Sequence, residues 1–167
     1  VSGKVGVVMA TSGPGATNLI TGIADAQIDS TPMVCITGQV PSHLLGSDAF
    51  QETDIIGIST PVTKWNCQVT KAADIPIVLA KAFYIAKSGR PGPVLIDITK
   101  DAQFEMMEYS YKKCSSVRSY NPVPDYSIDM IKKAAKLIDN AKKPFIVFGQ
   151  GVILGNAEQE FKDFIEK

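Results

Sequence analysis

The strongest single indication of the fold is T-S-G-P-G-A-T-N at Thr11–Asn18. It directly follows the apolar run Val5–Ala10, which is typical of a buried parallel strand, and it leads into a helical pattern over Ala16–Ile28. Gly13 and Gly15 let the backbone of such a strand-to-helix turn approach a ligand closely, although a glycine-rich turn can also be purely structural. The stretch is neither a dinucleotide-binding G-x-G-x-x-G nor a Walker A loop, since no Gly-Lys-Ser/Thr closes it.

Alternating strand and helix patterns after this turn predict an α/β fold built on a doubly wound, mostly parallel sheet. The most regular helical pattern lies at Lys71–Lys87, where an apolar stripe at helical spacing is typical of core packing. Gly89 and Pro91 are expected to end this helix before the next strand. The predicted strands are Lys4–Ala10, Pro32–Thr37, Thr63–Val69 and Pro93–Ile98, and the stripe consists of Ile75, Val78, Leu79, Ala82, Phe83 and Ala86.

The composition changes after Lys100 and divides the chain into three parts. We expect 1–101 to belong to one domain, 102–126 to form an extended linker, and 127–167 to begin a second α/β domain. The chain does not begin with methionine, and its last helical pattern stops abruptly, so we expect a fragment of a longer protein. In the second domain we predict a helix at Ser127–Asn140, a strand at Pro144–Phe148, a turn at Gly149–Gly151 and the start of another helix.

Charge and composition argue against several classes of partner. The net charge is +0 and the pI is about 6.8, which does not indicate binding to nucleic acid or to an anionic membrane. No apolar run is long enough to cross a bilayer. The three cysteines, Cys35, Cys67 and Cys114, have no metal-binding spacing, so we expect reduced thiols, no metal site and a cytoplasmic location, with a plastid or other organelle left open.

Further blocks accompany the glycine-rich turn, and together they resemble the large, catalytic subunit of acetolactate synthase (acetohydroxyacid synthase), a family of thiamine-diphosphate enzymes. The resemblance covers essentially the whole chain. It implies that 1–101 is the carboxyl-terminal part of a pyrimidine-binding domain and that 127–167 begins a central, FAD-binding domain. The blocks are T-S-G-P-G-A-T-N-L at 11–19, T-G-I-A-D-A at 21–26, I-T-G-Q-V-P at 36–41, D-A-F-Q-E at 48–52 and S-G-R-P-G-P-V-L-I-D-I-T-K-D at 88–101.

The resemblance implies a carboligation reaction in branched-chain amino-acid biosynthesis. Such an enzyme decarboxylates pyruvate on thiamine diphosphate and joins the two-carbon unit to a second 2-keto acid. The family's activating glutamate lies upstream of the glycine-rich turn, and its diphosphate site with Mg2+ belongs to a later domain. The present chain is therefore expected to be inactive alone. Family members form homodimers or larger homo-oligomers with the active site at the subunit interface, and we also expect a small regulatory subunit.

The resemblance also assigns roles to residues at the two loops. Phe50 would offer an apolar face to the second keto acid, and Gln51 would donate a hydrogen bond near the reacting carbon. Without the resemblance, Phe50 is equally consistent with core packing on a short helix. The expected pocket for the pyrimidine ring of thiamine diphosphate consists of Gly13, Pro14, Gly15 and Asn18, and the expected substrate channel includes Pro41, His43 and Ala49.

Some of these assignments have structural alternatives. Asn18 is also suited to capping its own turn, and His43 is typical of a surface loop, where the family often carries an arginine. Arg118 matches a family arginine that contacts FAD, but a surface charge explains it equally well. Gly149 and Gly151, in F-G-Q-G-V, match the glycine turn that admits the FAD backbone.

Two other functions remain open from the sequence. The first is a different thiamine-diphosphate enzyme, such as a pyruvate oxidase or a glyoxylate carboligase, against which the blocks at 36–41 and 48–52 argue. The second is a non-catalytic nucleotide-binding or interaction module, which would show no thiamine dependence even within a full-length chain.

Overall fold

The computed structural model describes residues 2–167, which form two compact units that divide between Pro124 and Asp125. Three short 3-10 turns supplement the helices and strands. The first unit contains β1 (Gly6–Ala10), α1 (Pro14–Thr17), α2 (Ile20–Ile28), β2 (Met33–Gln39), α3 (Ile55–Ser59), β3 (Trp65–Val69), α4 (Ile75–Lys87), β4 (Pro93–Thr99) and α5 (Lys100–Phe104). The second unit contains α6 (Ile128–Asp139), α7 (Gly151–Leu154) and α8 (Glu158–Ile165).

The strands of the first unit form one parallel sheet with the order β1-β2-β4-β3. β4 lies inside the sheet, and all of its residues are buried. A parallel strand covered on both faces needs a nearly continuous apolar run, which the Val94–Ile98 segment supplies except at Asp97. The predicted α/β class and the parallel arrangement are confirmed.

Helices cover the two faces of the sheet, as expected for a doubly wound fold. On one face α4 packs against β2, β3 and β4, with Ala82 and Ala86 fully buried. On the other face α2 and α3 contribute Ile23 and Ile55 to a second apolar cluster. The stripe on α4 is therefore core, as predicted, although Phe83 at its edge is partly exposed.

The prediction of a buried first strand is only partly right. β1 is parallel to β2, but Val7 and Met9 are 54% and 73% exposed. The reason is that β1 forms an edge of the sheet described by residues 2–167, and α4 lies against the other three strands. The predicted helix at Ala16–Ile28 is also divided into α1 and α2, with the break between Thr17 and Ile20.

The segment that follows α5 packs against the rest of the first unit through Tyr120. The Tyr120 hydroxyl donates to the Ser88 carbonyl at 2.9 Å, just after α4. The Lys64 ammonium donates to the same carbonyl at 2.7 Å and to the Tyr120 hydroxyl at 3.1 Å. These bonds satisfy a carbonyl at the end of α4 and anchor the predicted linker to the domain that precedes it.

The second unit is helical in this structure. Ser127 caps α6 by accepting a hydrogen bond from the Met130 N–H at 3.4 Å. The predicted strand at Pro144–Phe148 is wrong, because that segment is irregular and Phe145 is 91% exposed. A strand needs a neighbour for its backbone groups, and residues 125–167 contain no other strand. Within residues 2–167, no helix has both the length and the apolar character needed to cross a membrane.

Tyr120→Phe should loosen the segment 105–119, because the hydroxyl loses its bonds with Ser88 and Lys64. Each lost hydrogen bond costs about 1 kcal/mol, so limited proteolysis within this segment should become at least roughly fivefold faster. Tyr109→Phe is the matched control, since Tyr109 is exposed and its hydroxyl has no hydrogen bond within residues 2–167. Equal cleavage rates for the two variants would show that Tyr120 is no anchor.

Candidate functional site

A crevice of about 630 Å3 lies at the carboxyl ends of β1, β2 and β4. In open parallel sheets, ligands bind at this edge, where loops from neighbouring strands meet. Four of the residues assigned to substrates or to their channel meet there, whereas the thiamine residues at 13–18 lie next to the crevice without lining it. The four are Pro41, Ala49, Phe50 and Gln51, and Ser12, Thr37 and Gln39 line the crevice with them.

The turn after β1 and the loop after β2 touch at Gly13. This residue is buried, with φ 55° and ψ −118°, a conformation that side chains rarely adopt. A β-carbon at Gly13 would lie 2.7 Å from the carbonyl oxygen of Gln51. Glycine is therefore required both by the backbone conformation and by the packing of the two loops.

The other residues of the glycine-rich turn lie around this contact. Pro14 begins α1, where its fixed φ suits the first helical position. A β-carbon at Gly15 would lie 2.6 Å from Cγ2 of Thr11, so this position is also closely packed. Asn18 is exposed at the end of α1, and its backbone N–H donates to the Pro14 carbonyl at 3.1 Å. Its side chain makes no hydrogen bond within residues 2–167, so the structure does not support the alternative in which Asn18 caps its own turn.

The loop from residue 40 to residue 53 is held in shape by the carboxylate of Glu52. That carboxylate accepts hydrogen bonds from the backbone N–H groups of Gly46 and Ala49, the second at 3.0 Å. These bonds lower the pKa of Glu52 below its ordinary value. Gln51 has φ 63°, a strained conformation for a residue with a side chain. The loop therefore has a defined conformation that its own hydrogen bonds maintain.

Phe50 is 89% exposed at the tip of this loop, where it lines the crevice. The alternative that Phe50 packs in the core on a short helix is therefore wrong for the described chain. An exposed aromatic ring beside a crevice offers apolar surface to a ligand. Phe50 and Gln51 both line the crevice, and the roles assigned to them stay predictions.

The start of the loop is attached to α5. The Ser42 backbone N–H donates to Oδ1 of Asp101 at 2.9 Å, and its hydroxyl donates to Oδ2. These bonds hold the pKa of Asp101 well below its usual range. Pro41 is therefore fixed on the crevice wall, while His43 is exposed in the same 3-10 turn and does not line the crevice.

Beneath the crevice lies a buried carboxylate that sequence reasoning missed. Asp97 on β4 is fully buried and accepts hydrogen bonds from Thr37 Oγ1 at 2.7 Å, Gln68 Nε2 at 3.0 Å and Gln39 Nε2 at 3.2 Å. Burial raises the pKa of Asp97, although these hydrogen bonds act in the opposite direction. A single acid in an otherwise apolar strand was the signal for this cluster.

The residues assigned to FAD lie in different units. Arg118 is exposed in the first unit, in a turn bounded by the isolated bridge between Val117 and Tyr120. Gly149 and Gly151 belong to the second unit, where a β-carbon at either position would meet open space. Their packing therefore does not require glycine within this structure.

None of the three cysteines lines the crevice. Burial raises the pKa of the Cys35 thiol to about 12, so it stays protonated at neutral pH. Burial also raises the pKa of Cys67. In the part of the chain from residue 2 onward, no three acidic, histidine or cysteine side chains are grouped as metal ligands would be.

Comparison with known protein families gives two matches along the chain. Residues 1–58, which include the glycine-rich turn and the loop with Phe50, match the thiamine pyrophosphate enzyme N-terminal TPP binding domain. Residues 131–167 match the thiamine pyrophosphate enzyme central domain. Thiamine pyrophosphate is another name for thiamine diphosphate. The two matches follow one another in the chain and flank the unmatched segment between them.

Individual relatives are similar over nearly the whole chain. It is 54% identical to the acetolactate synthase large subunit of Corynebacterium glutamicum, over 99% of this chain and 26% of the relative. It is 51% identical to the acetolactate synthase large subunit of Haemophilus influenzae, over 99% of this chain and 29% of the relative. The chain thus spans between a quarter and a third of the length of these relatives. The chain therefore matches the thiamine pyrophosphate enzymes in two successive domains and is similar, over nearly its whole length, to part of the acetolactate synthase large subunits.

Proposed function

We propose that this chain is a portion of an acetolactate synthase catalytic subunit, which decarboxylates pyruvate and joins the two-carbon unit to a second 2-keto acid. The observation that carries the proposal is the packing of the Gln51 backbone on Gly13, because it joins the glycine-rich turn to the loop of Phe50. The names of the relatives support the same activity. They do not favour a pyruvate oxidase, a glyoxylate carboligase or a non-catalytic module.

Thiamine diphosphate would contact the turn after β1. Pro14 and Asn18 are exposed there, whereas Gly13 and Gly15 shape the turn by packing against Gln51 and Thr11. The exposed side of the turn, with Pro14 and Asn18, is where a flat aromatic ring would fit. When bound, the cofactor supplies the carbanion chemistry that breaks and forms carbon–carbon bonds next to a carbonyl. In this proposal the diphosphate and its Mg2+ are held by residues outside the present chain.

The protein's own contribution at the crevice is to orient the second keto acid. Phe50 presents its exposed ring to the alkyl group of that acid, and burial of the pair excludes water from the reacting carbon. Gln51 donates an amide hydrogen bond to an oxygen of the same acid. Pro41 and Ala49 form the rim of the channel, and exposed His43 stands outside it, where the family often carries an arginine.

FAD binding and assembly complete the proposal. Arg118 would contact FAD, while Gly149 and Gly151 would admit the FAD backbone in the central domain. The exposed apolar residues Val7 and Met9 fit an enzyme whose active site forms between two copies of the subunit. We also propose a small regulatory subunit as a partner, because the relatives are named large subunits. Three free cysteines fit a cytoplasmic location.

The full-length protein that contains this chain should form acetolactate from pyruvate only when thiamine diphosphate and Mg2+ are supplied. The present chain alone should form none, since it spans under a third of its relatives. The measurement is colorimetric detection of acetolactate, with each cofactor omitted in turn. Pyruvate turnover without acetolactate, or turnover that persists without thiamine diphosphate, would contradict the proposal.

Phe50→Ala in the full-length protein should slow carboligation more than the first decarboxylation, so that acetaldehyde is released. Loss of an aromatic contact of about 1 kcal/mol corresponds to a roughly fivefold lower ratio of acetolactate to acetaldehyde. Phe83→Ala is the control, because Phe83 lies on α4 away from the crevice lining. If both variants keep the wild-type ratio and lose only stability, Phe50 does not contact the substrate.

Gln51→Ala should lower turnover by about tenfold while leaving the affinity for thiamine diphosphate unchanged, because one hydrogen bond to the substrate is lost. Gln51→Gly separates this effect from backbone strain, since glycine accepts the φ of 63° freely. The two variants should lose turnover equally in steady-state kinetics. Near-normal turnover in the glycine variant would mean that the side chain of Gln51 has no part in the reaction.

A further inference from the structure

One side chain reaches both ends of the loop from residue 40 to residue 53. Gln39, the last residue of β2, is 6% exposed. Its Oε1 accepts a hydrogen bond from the Val40 backbone N–H at 2.9 Å, and its Nε2 donates to the carbonyl of Thr53 at 2.9 Å. The Gln39 amide therefore joins the first and last residues of the loop, and we call this pair of hydrogen bonds the clasp. Leaving these groups unpaired would be costly, because the amide is buried.

The clasp is itself attached to the centre of the sheet. Nε2 of Gln39 also donates to Oδ2 of Asp97 at 3.2 Å. Thr37 and Gln39 are two residues apart on β2, so their side chains lie on the same face of the strand. Both side chains donate a hydrogen bond to the carboxylate of Asp97. A buried carboxylate is tolerated only when donors surround it, so Asp97 fixes the position of the Gln39 amide.

Two other sets of side-chain hydrogen bonds hold the loop, and each holds only its start or its interior. Ser42 joins the start of the loop to Asp101 on α5. Glu52 binds Gly46 and Ala49, so it shapes the loop internally and leaves the loop's orientation to other contacts. Among the side-chain hydrogen bonds in residues 2–167, the one from Gln39 to Thr53 joins the end of the loop to the sheet.

We propose that Gln39 is a positioning residue that closes the loop from residue 40 to residue 53 onto β4 and thereby sets where Phe50 and Gln51 stand at the crevice. The inference deepens the proposed function, on which the role of those two residues rests. Gln39 acts through the loop, and its amide remains with Val40, Thr53 and Asp97 during the reaction.

The test compares Gln39→Met with Gln68→Met in the full-length protein. Each variant removes one amide donor from Oδ2 of Asp97 and keeps a side chain of similar length. Only Gln39 also binds Thr53 and Val40, and Gln68 does not line the crevice. Hydrogen–deuterium exchange of the 44–53 amides, measured without substrate, reports loop closure directly.

We expect about tenfold faster exchange of these amides in Gln39→Met and a change of less than about twofold in Gln68→Met. Gln39→Met should also lower the ratio of acetolactate to acetaldehyde, whereas Gln68→Met should keep it. Exchange of the β4 amides separates loop opening from global unfolding. Equal loop exchange in the two variants, or wild-type exchange in Gln39→Met, would overturn the inference.

If Gln39→Met does not fold, Gln39→Asn replaces it, because the shorter amide cannot span Thr53 and Asp97 together. Wild-type loop exchange in that variant would equally overturn the inference. The exchange result does not depend on activity. A loop that loosens as expected in a protein that makes no acetolactate would support the clasp while contradicting the proposed function.

Discussion

The crevice depends on one close approach of backbone to backbone, the contact between Gly13 and the carbonyl of Gln51. A β-carbon at position 13 would lie 2.7 Å from that oxygen, so any other residue would separate the two segments. Since β1 and β2 are parallel neighbours, both segments leave the sheet at the same edge. The contact brings the segments that follow two neighbouring strands together at one edge of the sheet, beside the crevice.

Asp97 and its hydrogen-bond donors belong both to the core of the sheet and to the surroundings of the crevice. Asp97 contributes nothing to the apolar packing of β4, and an unpaired charge there would be costly. Its three donors come from two neighbouring strands, so the carboxylate links β2, β3 and β4 directly under the crevice. One of those donors, Gln39, also donates to the Thr53 carbonyl, so a single side chain connects the middle of the sheet to the end of the loop that bears Phe50.

The features that could be predicted from the sequence were local patterns. Apolar runs and the stripe on α4 indicated the parallel sheet, because each depends on a few neighbouring residues. The roles proposed for Phe50 and Gln51 rest on family resemblance, and what the structure adds is that both residues line the crevice. The Asp97 cluster joins residues far apart in the chain, which no local pattern contains. The predicted strand at 144–148 was wrong for the same reason. A strand needs a neighbouring strand to pair with, and the local propensity of a segment does not show whether such a neighbour exists.

The carboxylates around the crevice respond to acid in opposite directions. Glu52 and Asp101, which shape and attach the loop, have lowered pKa values, so their stabilisation is present above the ordinary carboxyl pKa and is lost as the pH falls through the lowered ones. The pKa of Asp97 is raised, so its charge weakens the fold as the pH rises through that value, and acid relieves it. Acid therefore removes the stabilisation that Glu52 and Asp101 give to the loop at the crevice, whereas at Asp97 it removes the cost of burying a charge.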